Sequence, residues 1–497
     1  MRKWICAIVA LITITANAEV KLPQFFSDNM VLQQQSECNI WGKADANKMV
    51  MIMTTWDNKT YKVKADGNGD FEVKVKTPKA GGPYEICVTE SSAVILHNVM
   101  IGEVWICSGQ SNMEMLMKGY KAQPVEGAAE ELLACHDDGL RLFYGKRRAS
   151  LEPQQDLAGT WQPANAASVR EFSATAYFFG KALRRVLGVP VGLICTAFGG
   201  SACEAWMKAD WLKAFPKVKQ TITEEDVKKL QQRCPTALYN GQLKPLIGYG
   251  IRGAIWYQGE DNVPRYDYYA PLMARMIQGW REDWKLGNFP FYYCQIAPWG
   301  YDETDWALYN SAFLREQQEK VESMVPNCRM AVLMDTGIKD VIHPRKKRQA
   351  GERLAILALS NTYDIKGLPD FAKYKEVTFQ NDTTVVSFDR SKEWVYFEHV
   401  NSLTTTDAEG KTVSRNFELA GSDRVFHPAT KVWVSRNHVY VICDKVKQPV
   451  AVRYAFKDFV VGDLMHDGLP VSSFRTDDWP PTMNAVNKAT GDYNNPK

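Results

Sequence analysis

From residue 101 to about 363 the sequence alternates between two periods: short apolar runs of strand character, and longer stretches whose apolar residues recur at helical spacing. Strand patterns fall at 101–107, 191–197, 252–257, 289–297 and 329–334. Helical patterns fall at 173–187, 266–284, 309–321 and 346–359. Parallel strands need crossover connections, and helices are the usual crossovers, so this alternation predicts an α/β fold with a parallel sheet covered by helices. Ligands in such folds sit at the carboxyl ends of the strands, which makes the residues just after each run the ones to read for chemistry.

On both sides of this stretch the period falls to two. Segments at 37–41, 49–54, 60–64 and 71–76, separated by the turn signals Asp66-Gly67-Asn68-Gly69 and Gly81-Gly82-Pro83, predict an N-terminal β-sandwich-like module. Runs at 376–379, 384–388, 394–397, 439–443 and 450–455 predict a second β module at the C-terminus. The expected domains are 19–98, 99–363 and 364–497, in keeping with a length of 497 residues, since a single core stops growing near about 250–300 residues. The sequence carries no internal repeat.

The first residues read as an address. Arg2 and Lys3, an apolar stretch at 4–14 and Ala16-Asn17-Ala18 predict a signal peptide over 1–18 and export to the periplasm or outside the cell. No later run reaches the roughly 20 apolar residues of a membrane span, so no membrane anchor is expected. Sixty basic and 57 acidic residues leave a net charge of +3, too small a field to argue for nucleic acid. The basic run at 345–348 is expected to be a solvated helix face. Eleven cysteines without a C-x-x-C pair predict neither a zinc site nor a dense disulfide framework, with Cys195 and Cys203 as a candidate pair. With no H-E-x-x-H and no phosphate-cradling loop, neither metal nor cofactor is expected.

Four polar clusters follow four of the predicted strands. Ser111 follows the first, within Gly-Gln-Ser-Asn-Met-Glu at 109–114; Gly199-Gly200-Ser201 follows the second; Gln258-Gly259-Glu260-Asp261-Asn262 follows the third. Asp335 and Asp340-Val341-Ile342-His343-Pro344 follow the last. Singly each has an ordinary explanation, a serine capping a turn or Glu260 as a solvated loop acid; together they would converge on one rim. A serine hydroxyl becomes a nucleophile when a base takes its proton, and His343, just ahead of Pro344 at a helix start, is the best placed of seven histidines. Asp340, three residues earlier, is near enough to fix the imidazole tautomer, and Asp335 is the alternative. Donors for an oxyanion are the main-chain N–H groups of Ser111 and Gly200 and the side-chain amide of Gln258, with Gly199 an equal alternative to Gly200.

Together with Phe-Gly-Gly-Ser at 198–201, Trp-Tyr-Gln-Gly-Glu at 256–260 and Asp-Val-Ile-His-Pro at 340–344, these motifs resemble the sialate O-acetylesterase family of SGNH-type hydrolases. The flanks at 25–33, 449–454 and 473–479 look similar too, so the resemblance spans nearly the whole chain. It implies a flavodoxin-like α/β domain with accessory β domains. It also implies a serine esterase that removes O-acetyl groups from sialic acids through an acetyl-serine intermediate, with Ser111 as nucleophile, His343 as base and Asp340 as orienter. Where SGNH hydrolases carry an oxyanion-hole asparagine, the family motif puts Gln258, and Asn262 is the alternative donor. The motifs describe the carbonyl chemistry and not the alcohol, so an esterase of another glycan such as acetyl-xylan is the competing expectation. A catalytically silent glycan-binding protein is the competing class. The expected partner is an O-acetylated sugar.

Overall fold

A computed structural model of the chain describes residues 20–301, 310–390, 394–398, 404–406 and 412–480; the expected signal peptide lies outside them. The strand Ala93–Gly109 is the axis of the fold. Its first half alternates buried and more exposed positions, whereas Ile101 to Gly109 are buried without a break. The two halves accordingly do different work. The first pairs antiparallel with Gly81–Thr89 of the N-terminal module, and the second lies between Val191–Ala197 and Gly253–Tyr257, parallel to both. The boundary expected between residues 98 and 99 thus falls inside one continuous strand.

The central sheet runs in the order Cys328–Ala331, Phe291–Cys294, Gly253–Tyr257, Ala93–Gly109, Val191–Ala197, Asp137–Tyr144, Trp161–Ala164. Every neighbouring pair is parallel except the last. The helices Ala174–Leu187, Tyr269–Trp284 and Asn310–Met324 lie in the crossovers, and Lys347–Asn361 follows the last strand of the sheet. Ala174–Leu187 shows why the sequence starts and stops it there: Ser173 Oγ accepts the Ala176 N–H at 3.0 Å, and Gly188 at φ 67° closes the far end. It packs on Lys347–Asn361 so closely that a Cβ at Gly351 would stand 2.5 Å from the Thr175 carbonyl oxygen.

In the N-terminal module the expected turn at Gly81-Gly82-Pro83 instead opens the strand Gly81–Thr89, where the irregular register between Gly81, Tyr84 and Ile86 absorbs the residues that made it look like a turn. The C-terminal module holds antiparallel sheets built from Lys373–Gln380, Thr383–Asp389, His438–Ile442 and Lys431–Ser435, and from Phe426–Pro428, Phe417–Ala420, Ala451–Tyr454 and Phe474–Arg475. It is joined to the helix Asn310–Met324 by buried polar contacts: Arg315 donates to Ser473 Oγ at 3.1 Å and to the Lys457 carbonyl, and Ser311 Oγ to Asp458 Oδ1 at 2.5 Å. One apolar core runs through all three parts, including Phe26, Trp105 and Phe474.

Among the described residues no helix is long and apolar enough to cross a membrane. The ten described cysteines are buried free thiols, so the expected Cys195–Cys203 pairing is not found. Cys195 lies beside Cys107 on the neighbouring strand, and Cys203 Sγ sits 3.7 Å from Met276 Sδ.

Candidate active site

Gly109 is in register with both Ala197 and Tyr257, so three adjacent strands end on one level. The chain turns at once. Gly109 has φ 140°, and a Cβ there would lie 2.2 Å from the Tyr257 carbonyl oxygen, so only glycine fits. Gln110 then ties the turn to its neighbour: its N–H donates to Tyr257 O at 2.9 Å, and its Oε1 accepts the N–H groups of Gly259 and Asp261 at 3.2 and 3.3 Å. Ser111 opens the short helix Ser111–Glu114, so its N–H points out of the first turn without an intrahelical acceptor. Its side chain is half-buried, unlike the fully buried Asn112 that follows.

The second strand end supplies the facing wall. A Cβ on Gly199 would be 3.4 Å from Ser111 Cβ, which places the Gly199–Gly200 turn directly against the serine. The Gly199 N–H is already donated to Glu114 Oε2 at 2.8 Å. Gly200, at φ 71°, has an N–H with no hydrogen-bond acceptor among the described residues. Of the two glycines left open by the sequence, only Gly200 has a donor to offer.

His343 is brought to the same rim by contacts that the sequence did not disclose. Its Nδ1 lies 2.7 Å from Gln123 Oε1, and its ring meets Tyr120 edge-on at 4.9 Å between centroids. The Tyr120 hydroxyl in turn donates to Ser111 O at 3.2 Å. Burial, with the Lys347 ammonium nearby, pulls the imidazole down to about 4, so the ring is neutral at neutral pH. Asp340 is exposed in the turn closed by the Ile338–Val341 bridge and makes no hydrogen bond to His343 among the described residues. Asp335, the other candidate orienter, gives both carboxylate oxygens to Arg353 at 2.6 Å each and is spent. The helix after Pro344 begins at Lys347, so the proline sits in the approach and not in the first turn.

The third strand end is scaffold. Gln258 is fully buried, with Nε2 donating to Ser201 O at 3.0 Å and to Asn262 Oδ1 at 2.7 Å, and Oε1 accepting the Tyr269 hydroxyl at 2.8 Å. Both of its amide hydrogens are taken up by these acceptors, so in this structure Gln258, expected as an oxyanion donor, has none directed elsewhere. Asn262 is equally occupied, between Cys203 N–H, Gln258 and Glu204. Glu260 is not a solvated loop acid but is buried, and burial raises its carboxyl above the usual range.

Glu260 Oε1 accepts from Asn112 Nδ2 at 2.6 Å, and the same amide donates to the Ile342 carbonyl at 3.1 Å. Asn112 Oδ1 accepts from Lys347 Nζ. Asn112 therefore fastens the serine turn to the residue before His343. Lys347 is 1% exposed, so within the basic run at 345–348 this residue departs from the solvated face expected, while Arg345 is exposed; burial brings the Lys347 ammonium down to about 7. A signal for this was present, since Lys347 shares the helix face of Ala350, Gly351, Leu354 and Ala358, all buried. Gln123 and Tyr120 had no such signal.

The chain is similar to a solved carbohydrate acetylesterase from Xanthomonas citri: 32% identical, TM-score 0.81, covering 93% of this chain and 100% of that one. The sheet, the rim of strand ends and this relative define a hydrolase of carboxylic esters in the carbohydrate esterase class. Residues 101–360 match the family model described as carbohydrate esterase, sialic acid-specific acetylesterase, and the chain belongs to that family. Curated sialate O-acetylesterases are similar too. That of Rattus norvegicus is 27% identical over 452 residues (77% of this chain, 81% of the relative), and that of Homo sapiens 28% over 398 (71% and 73%). The activity shared by these relatives is the removal of O-acetyl groups from sugars.

Proposed function

We propose that this O-acetyl sugar esterase is a sialate O-acetylesterase that works through an acetyl-serine intermediate. His343 Nε2 takes the proton of Ser111 Oγ, and Oγ attacks the acetyl carbonyl carbon. The negative charge that develops on the carbonyl oxygen is received by the N–H groups of Ser111 and Gly200. The tetrahedral intermediate collapses with cleavage of the bond to the sugar oxygen, which leaves with the proton held by His343. Water, deprotonated by the same imidazole, then attacks the acetyl-enzyme carbonyl; the bond to Ser111 Oγ breaks, His343 returns the proton to Oγ, and acetate leaves. The observation that carries the reading is the pairing of Gly109 with Ala197 and Tyr257, which sets the serine against a glycine whose N–H is open.

In the unliganded state Gln123 accepts from Nδ1–H and leaves Nε2 as the lone-pair nitrogen, the tautomer a base needs. For the orienting carboxylate we keep Asp340, which lies three residues from His343 on a short turn and would take Nδ1 from Gln123 once substrate closes the site. The sialic acid assignment is supported by the family and the curated relatives. The Xanthomonas citri relative is described only as a carbohydrate acetylesterase, so acetyl-xylan belongs in the test. Export is proposed on the leader pattern of residues 1–18, and three domains on the change of period along the sequence.

The experiment is acetate release from 9-O-acetyl-sialic acid and from acetylated xylan by the wild type and by Ser111→Ala. The expected result is a preference for the sialic acid and a fall in kcat of about 10⁵–10⁶ in the variant. Near-wild-type release by Ser111→Ala would overturn the nucleophile, and a preference for xylan would overturn the substrate.

A further inference from the structure

Two arginines on either side of the Gly199–Gly200 turn are built alike. Arg147 holds buried Glu114 through Nε, and Glu114 is the side chain that takes the Gly199 N–H. Its guanidinium lies 5.0 Å over the Phe198 ring, just ahead of that turn. Arg233 holds buried Asp261 through Nε at 2.6 Å, and its Nη2 is 3.9 Å from where a Cβ on Gly200 would be. Both side chains are about half exposed, at 51% and 46%, and neither has a hydrogen-bond partner for its Nη groups among the described residues.

This differs from the arginines that only brace the fold. Arg281 ends on the carbonyls of Phe289, Pro326 and Asn327, and Arg353 on Asp335 and Val332 O. Anchoring a guanidinium through Nε on a buried acid fixes its plane and leaves the Nη1–Nη2 edge facing outward. That edge matches the two oxygens of a carboxylate. The charge of each arginine is already balanced by its acid, so what is left is directional donation at a fixed place. The fixed place is beside the serine, because Gly199 abuts Ser111 and Gly200 carries the open N–H.

We propose that Arg147 and Arg233 select the substrate by receiving a carboxylate of the acetylated sugar, so that the site prefers acidic over neutral sugars. This rests on the reading of Ser111 and Gly200 as the reacting rim. Each arginine binds the sugar's anion and leaves the acetyl carbonyl to the serine, so its effect belongs in KM.

The test compares 9-O-acetyl-sialic acid with its carboxylate methyl ester, as a ratio of kcat/KM, for the wild type and for the Lys and Gln replacements of Arg147 and Arg233. The Lys variants keep the ion pairs with Glu114 and Asp261, so folding survives where Gln would strand a buried acid; thermal unfolding confirms which proteins are comparable. The wild type should favour the free acid by about tenfold or more, the range of one charged hydrogen bond, with the gain in KM. In the variants the ratio should fall towards one. A wild type that treats acid and ester alike overturns the proposal, as does a ratio that survives in all the variants. If the wild type leaves sialic acids untouched, the same comparison is run with an O-acetylated hexuronate and its methyl ester. Preference for that free acid keeps the carboxylate site and removes only the sialic acid assignment, whereas indifference removes both.

Discussion

Neutral His343 is a base with little appetite for a proton. Its imidazole, held down at about 4 by burial and by Lys347, has a folded-state value below the ordinary 6.5. It charges only as pH falls through about 4, so the acid limb of kcat/KM, which reports the free enzyme, should lie there. If Asp340 takes Nδ1 in the substrate complex, the carboxylate raises the imidazole, and the limb of kcat should lie at higher pH than that of kcat/KM. Asp340→Asn should then lower kcat by about 10⁴ and bring the two limbs together. Coincident limbs in the wild type would remove Asp340 from the mechanism. At this scale the places of Ser111, Gly200 and His343 after strands were legible, because strand ends are readable from apolar runs. Gln123, Tyr120 and Asn112 were not. The first two lie between Met115 and Ala128, where the helical and strand periods both lapse, and the role of Asn112 depends on Glu260 and Lys347, more than 140 residues away in sequence.

Gly109→Ala would force a Cβ to within 2.2 Å of Tyr257 O at a φ that L side chains avoid, so the turn must open before the alanine fits. The expected cost is more than about 1 kcal/mol in thermal or denaturant unfolding. Because Ser111 is two residues on, kcat should also fall, by about a hundredfold for a displacement near 1 Å. A variant with wild-type Tm and kcat would mean that the turn is loose. Five central strands and four helices were predictable from period because each is long enough to show it, although the first strand, expected from residue 101, begins at Ala93. The strands Asp137–Tyr144 and Trp161–Ala164 were missed: the first opens with Asp-Asp-Gly, which reads as a turn, and the second carries Pro163. Trp161–Ala164 is the edge strand of the sheet and Asp137–Tyr144 the strand next to it, where pairing and not pattern decides.

Three modules by sequence period are one body by packing. The apolar core is continuous from Val20 to Phe474, and Arg315, buried in the helix Asn310–Met324, has Ser473 and Lys457 of the C-terminal module as acceptors. Calorimetry of the full chain should therefore show one cooperative transition, and a chain stopped at residue 363 should fail to accumulate as folded protein, since it would leave Arg315 buried without those acceptors. Two separated endotherms, or a stable truncated chain, would count against it. Period could not reveal this, because it reports which face of an element is buried and says nothing of what covers it.

The strand shared by the first two modules sets a parity rule. Successive side chains of a strand point to opposite faces, so one residue gained or lost within Ala93–Gly109 would turn either the partners of Gly81–Thr89 or the approach to Ser111 to the wrong side. Two residues would restore the facing and change only the reach. Natural or engineered exchange of the N-terminal module is thus confined to joints that count in pairs, and the nucleophile keeps its aim only where that count is even.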